Sequence, residues 1–181
     1  MQEQRSALLI MDVQFGPLWG AYKKEEILSV IQAMIKKAED EEIPIIYTQH
    51  EELPGGFLIR GSQFWQLDPV ISPRPQDIII HKQAADAFYQ TSLEEELKVL
   101  GINHLVVTGA RTEFCVDTTC RAALSLGFAV TLVEDGHTTV DGTIPAETII
   151  KHHNHTLSTV NTPHNKVSVM PADKIKFGAY V

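Results

Sequence analysis

The chain has 181 residues, 44% of them apolar, and a formal net charge of −8 with both signs of charge mixed along its length. That size suits one domain with a sizeable core, and the composition excludes a disordered, collagenous or disulfide-stapled chain. No basic stripe is present, which argues against a nucleic-acid partner, and no apolar run approaches the roughly 20 residues that span a bilayer.

The first expected element is a strand, ALLIMD (7–12), ending in Asp12. The opening MQEQRSALLIMDV has only a short apolar run, unlike a secretory leader, so a cytoplasmic protein is expected. In EEILSVIQAMIKKAEDEE (25–42), Ile27, Ile31, Met34, Ile35 and Ala38 fall at helical spacing opposite a charged face. A second strand, IPIIYTQ (43–49), leads to His50. The stretch 51–76 then carries Pro54, Gly55, Gly56, Gly61, Pro69, Pro73 and Pro75, with Phe57, Phe64 and Trp65 among them. A loop this long in a compact domain often covers a binding site. The expected substrate pocket therefore takes His50, Phe57 and Trp65, joined by Phe15 and Trp19.

A third strand, DIIIHK (77–82), ends in Lys82. The segment TSLEEELKVLG (91–101) reads as a helix opened by Thr91 or Ser92, with glutamates a turn later, and closed by Gly101. A fourth strand, HLVVTG (104–109), is followed by a helix over 115–126 that starts at Cys115 and stops at Gly127. The fifth strand is AVTLVED (129–135). A helix over 145–160 has Pro145 in its first turn, and KVSVM (166–170) is a shorter sixth strand. The first five strands are nearly continuous Val, Ile and Leu, the pattern of strands buried on both faces in a parallel sheet. Their alternation with helices predicts an α/β fold, a three-layer α/β/α sandwich formed by one domain over 1–181.

In such sheets ligands bind beyond the carboxyl ends of the strands. Asp12, His50 and Lys82 are expected there, with Cys115 just past the fourth strand. A thiol attacks as its thiolate, and its free pKa is about 8.5. A helix N-terminus and the Lys82 ammonium would lower that value, and Asp12 would accept the proton. Backbone N–H groups before the helix would hold an oxyanion. Glu113 would raise the thiol pKa, so it is expected to point away. Cys115 and Cys120 are too close along a helix for an easy disulfide, and they lack the partner pair of a zinc motif. Reduced thiols are expected.

Three blocks, ALLIMDVQ, IIIHKQAADAF and GARTEFCVDTTCRAALSLGF, occur in an order that resembles the isochorismatase-like cysteine hydrolases. That superfamily includes nicotinamidases, carbamoylsarcosine amidohydrolases, streptothricin hydrolases and isochorismatases. The likeness runs over about 6–160. It implies a six-stranded, Rossmann-like parallel sheet and an Asp-Lys-Cys triad. In that triad Asp12 is the general base, Lys82 orients and polarises, and Cys115 is the nucleophile. It also implies a non-proline cis peptide between Ala110 and Arg111, with the N–H groups of Arg111 and Cys115 as oxyanion donors. The nicotinamidase metal motif pairs an Asp with the His after the second strand. Here TQHEELPGG keeps His50 without the Asp, so no metal and no cofactor are expected. Arg111 replaces a small residue and suits either an anionic substrate or a subunit contact. Retention of Cys115 favours C–N hydrolysis of a small molecule through a thioester. Vinyl-ether hydrolysis and a non-catalytic binding protein are the alternatives. A homo-oligomer, dimer or tetramer, is implied by analogy, with helix 115–126 or the C-terminal tail in the contact.

Overall fold

The computed structural model describes residues 3–178. Six strands form one parallel sheet: β1 (Ser6–Met11), β2 (Ile45–His50), β3 (Ile78–Lys82), β4 (His104–Ala110), β5 (Ala129–Thr138) and β6 (Val167–Met170), in the order β3-β2-β1-β4-β5-β6. Among the described residues the α-helices are α1 (Lys24–Asp40), α2 (Leu93–Val99), α3 (Asp117–Ser125) and α4 (Ala146–Ser158). The order reverses direction between β1 and β4, and such a switch point opens a crevice at the carboxyl ends of the strands.

All six residues of β1 are buried, because they serve two cores. Ala7, Leu9 and Met11 face the side covered by Leu93 and Leu97 of α2 and by Cys120, Ala123 and Leu124 of α3. Leu8 and Ile10 face Ile27, Ile31 and Met34 of α1. The period-two alternation of a strand thus serves both layers with an unbroken apolar run. Each large aliphatic side chain buried this way contributes about 1.5–3 kcal/mol. Helix α1 stops where Glu42 turns left-handed at φ 55°, letting the Ile43 N–H return to the Ala38 carbonyl at 2.8 Å.

Two local expectations change. The thiol does not open an α-helix: Thr112–Val116 form a π-turn, and α3 begins at Asp117. The Arg111 carbonyl accepts from both Phe114 N–H and Val116 N–H at 3.2 Å, which widens that turn. At α2 no capping box forms, but Thr91 Oγ1 accepts from the Leu93 N–H at 3.3 Å while donating to the Ala87 carbonyl at 2.6 Å. Residues 179–181 of the tail expected at a subunit contact lie outside the described residues.

Candidate active site

Strand order alone brings the reactive groups to one rim. β3, β2, β1 and β4 are neighbours, and their ends carry Lys82, His50, Asp12 and the turn to Cys115. Asp12 follows β1 with φ 45°, a conformation uncommon for a residue with a Cβ and often met at functional sites. Close packing of β4 on β1 is possible because position 109 is glycine; a Cβ there would lie 2.1 Å from the Met11 carbonyl oxygen. Asp12 is 1% exposed. Its Oδ1 accepts from Thr48 Oγ1 at 2.6 Å, and its Oδ2 lies 2.7 Å from Lys82 Nζ.

Lys82 is buried. Its Nζ lies 3.2 Å from Cys115 Sγ, 3.0 Å from the Ala84 carbonyl and 3.2 Å from His50 Nδ1. An ammonium has three N–H bonds, so these four acceptors share it. Because lysine only donates here, His50 Nδ1 is bare and its ring proton sits on Nε2. Burial, then the Lys82 charge, push the His50 pKa down, which favours that neutral ring. For Lys82, burial pulls the pKa down, but Asp12 and the Cys115 sulfur outweigh it and the net shift is upward.

The thiol runs against expectation. Burial, followed by the Asp12 charge, pushes the Cys115 pKa up to about 12, and Lys82 offsets only part of this. These shifts favour a neutral thiol beside the Asp12–Lys82 ion pair. The ligand atoms of Asp12, His50 and Cys115 lie within 4.8 Å of one another. This donor set does not fit a metal ion, because the Lys82 ammonium already bonds to all three and would repel a divalent cation.

Above this cluster a cavity of about 340 Å³ is walled by Phe57, Leu58, Ala85 and Phe114, with Arg111 and Glu52 as charged members. Arg111 Nε donates to the Pro17 carbonyl at 3.2 Å. The Ala110–Arg111 peptide is cis, and the Arg111 N–H has no hydrogen-bond partner among the described residues. His50 and Phe57 line the cavity, whereas Phe15, Trp19 and Trp65 do not. Trp65 stacks on His81 at 5.8 Å, Trp19 packs edge-on against Phe64 at 5.5 Å, and Phe15 meets Lys24. Glu113 turns away from the sulfur and accepts from Thr139 Oγ1 at 2.9 Å.

Sequence reasoning missed Gln14 and Thr48. Gln14 is fully buried and ties three segments together: Nε2 donates to the His50 and Trp65 carbonyls at 2.9 and 2.7 Å, and Oε1 accepts from His50 N–H at 2.8 Å. The available signal was a polar side chain set in an otherwise apolar strand or just beyond its end.

Residues 6–162 match a protein family described as the isochorismatase domain. The chain is 32% identical over 143 residues, 77% of its length, to streptothricin hydrolase of Streptomyces noursei, and the match spans 51% of that protein. It is 38% identical over 84 residues, 46% of its length and 37% of the other, to ureidoacrylate amidohydrolase RutB of Caulobacter vibrioides. The chain thus spans about half the length of the streptothricin hydrolase it matches, and the RutB match spans less. A crystal structure of an isochorismatase family protein superposes with a TM-score of 0.83 at 32% identity, covering 93% of this chain and 99% of that one.

Proposed function

This chain belongs to the isochorismatase family, and on that premise we propose that it is a cysteine hydrolase that cleaves an amide or carbamoyl C–N bond of a small molecule. The observation that carries the reading is the position of one buried ammonium, Lys82 Nζ, 2.7 Å from Asp12 and 3.2 Å from the Cys115 sulfur. Relatives named hydrolase and amidohydrolase support the reaction class.

Asp12 takes the thiol proton as Cys115 attacks the substrate carbonyl carbon. Lys82 stays an ammonium throughout and holds carboxylate and sulfur in register. The oxyanion of the tetrahedral intermediate accepts from the Arg111 and Cys115 N–H groups. The intermediate collapses, the C–N bond breaks, and protonated Asp12 gives its proton to the departing nitrogen. A thioester remains. Asp12, again a carboxylate, takes a proton from water as its oxygen attacks the thioester. Collapse expels the sulfur, Asp12 returns the proton to it, and the acid product leaves. No step runs through a metal or cofactor, in keeping with the filling of the cation position by Lys82. As part of the same proposal, the whole chain acts as one catalytic domain in the cytoplasm. It assembles as a homo-oligomer, for which the exposed rim formed by Trp19, Phe57 and Phe114 offers apolar contact area. No helix among the described residues is long and apolar enough to cross a membrane.

The test is product analysis over a panel of small primary amides, carbamoyl compounds and enol ethers. Ammonia or amine release by the wild type, absent with Cys115→Ala, is expected. Pyruvate release from an enol ether without any ammonia-yielding substrate would replace this reading with vinyl-ether hydrolysis.

A further inference from the structure

The reaction proposed above uses the turn 112–116, and that turn is also held by a side chain of β5. β5 loses register with β4 after Val107 and regains it with Gly109 opposite His137 and Ala110 opposite Thr138. That shift brings His137 beneath Thr112. His137 is 1% exposed. Its Nδ1 lies 2.8 Å from Thr112 Oγ1, and its Nε2 lies 2.8 Å from Asn154 Oδ1 on α4.

The direction of these bonds follows from the last of them. Asn154 Nδ2 donates to the Glu134 carbonyl at 3.1 Å, so the amide oxygen is the atom that faces the ring. Nε2 must then carry the proton, Nδ1 is bare, and the Thr112 hydroxyl donates to it. Burial pushes the His137 pKa down to about 4, so the ring stays neutral near pH 7 and the acceptor persists. Thr112 directly follows Arg111 and shares its turn with Cys115.

We propose that His137 is a positioning residue for acyl transfer: by accepting the Thr112 hydroxyl, it sets the direction in which the Arg111 and Cys115 N–H groups meet the oxyanion. This rests on the reading of Cys115 as nucleophile. A donor turned off the oxyanion loses much of its effect in the transition state, while the sulfur keeps its access to other electrophiles.

Two reagents separate those properties. p-Nitrophenyl acetate acylates the thiol: an S–C bond forms, the ester C–O bond breaks, and nitrophenolate leaves in a burst that requires oxyanion donors. Iodoacetamide alkylates the same sulfur at a saturated carbon, with loss of iodide and no oxyanion. His137→Gln keeps a donor toward Asn154 but loses the acceptor for Thr112, and Thr112→Val removes the hydroxyl. In both, the burst rate constant is expected to fall about tenfold or more while the alkylation rate stays within about twofold of wild type. His137→Asn, whose amide oxygen falls near the position of Nδ1, should recover most of the burst rate. The double variant His137→Gln/Thr112→Val should fall no further than the single ones. Should His137→Gln fail to fold, Thr112→Val carries the same comparison. Wild-type burst rates in the variants, or equal losses of acylation and alkylation, would overturn the inference. A wild type without a burst, or a full burst from Cys115→Ala, would instead overturn the nucleophile assignment beneath it.

Discussion

Asp12 acts on Cys115 in two opposite ways. As a charge beside the sulfur it disfavours the thiolate, and together with burial it holds the thiol pKa up near 12. In the proposed reaction it is also the base, and its contact with the shared ammonium at 2.7 Å sets it to receive the proton when the sulfur attacks. The two influences can be pulled apart. Asp12→Asn removes the negative charge and leaves Lys82, so the thiol pKa falls and the thiolate fraction at pH 8 rises. Iodoacetamide alkylation of Cys115 at that pH should then speed up by about tenfold, the effect of a one-unit shift in pKa. Turnover should fall by about 10²-fold or more, because the variant lacks the proposed general base. In the wild type, alkylation should keep climbing into the alkaline range without a plateau near neutrality. Parallel slowing of alkylation and turnover in Asp12→Asn would contradict this account of the thiol.

At the scale of elements, the loop over 51–76 is held by a side chain that precedes it in sequence. Gln14 joins the end of β2 to the Trp65 carbonyl, Gln49 Nε2 donates to that carbonyl at 2.9 Å, and Glu52 closes the loop tip through the N–H groups of Phe57 and Leu58. Gln14→Ala removes three buried hydrogen bonds at about 1 kcal/mol each, so a loss of about 3 kcal/mol in urea unfolding is expected. Tryptic cleavage after Arg60 should accelerate as the loop loosens; unchanged cleavage would show that other contacts hold it. The strands themselves were legible in the sequence, because a strand buried on both faces leaves an unbroken run of Val, Ile and Leu. The turn before α3 was not legible. The apolar spacing of Val116, Cys120 and Ala123 runs on smoothly across it, and the sequence carries no mark of the extra residue that widens Thr112–Val116 into a π-turn. The orientation of the aromatic side chains was not legible for a related reason. Phe15, Trp19 and Trp65 lie next to the site in sequence, but whether a loop side chain faces a cavity depends on backbone turns that composition does not encode.

Across the whole molecule, the site exists because a doubly wound sheet brings distant segments to adjacent strand ends. Asp12, Lys82 and Cys115 stood out as candidates because each follows an apolar run, and the strand order made them neighbours. The sign of the thiol shift was not identifiable, since it depends on how deeply the fold buries sulfur beside carboxylate. The most direct measurement is acid-quenched intact-mass spectrometry of the protein mixed with a primary amide that it turns over, followed by peptide mapping. A mass increase equal to the acyl part of the substrate, located on the peptide containing Cys115 and formed at least as fast as turnover, is the predicted result. Steady turnover with no adduct on Cys115, persisting in Cys115→Ala, would contradict it.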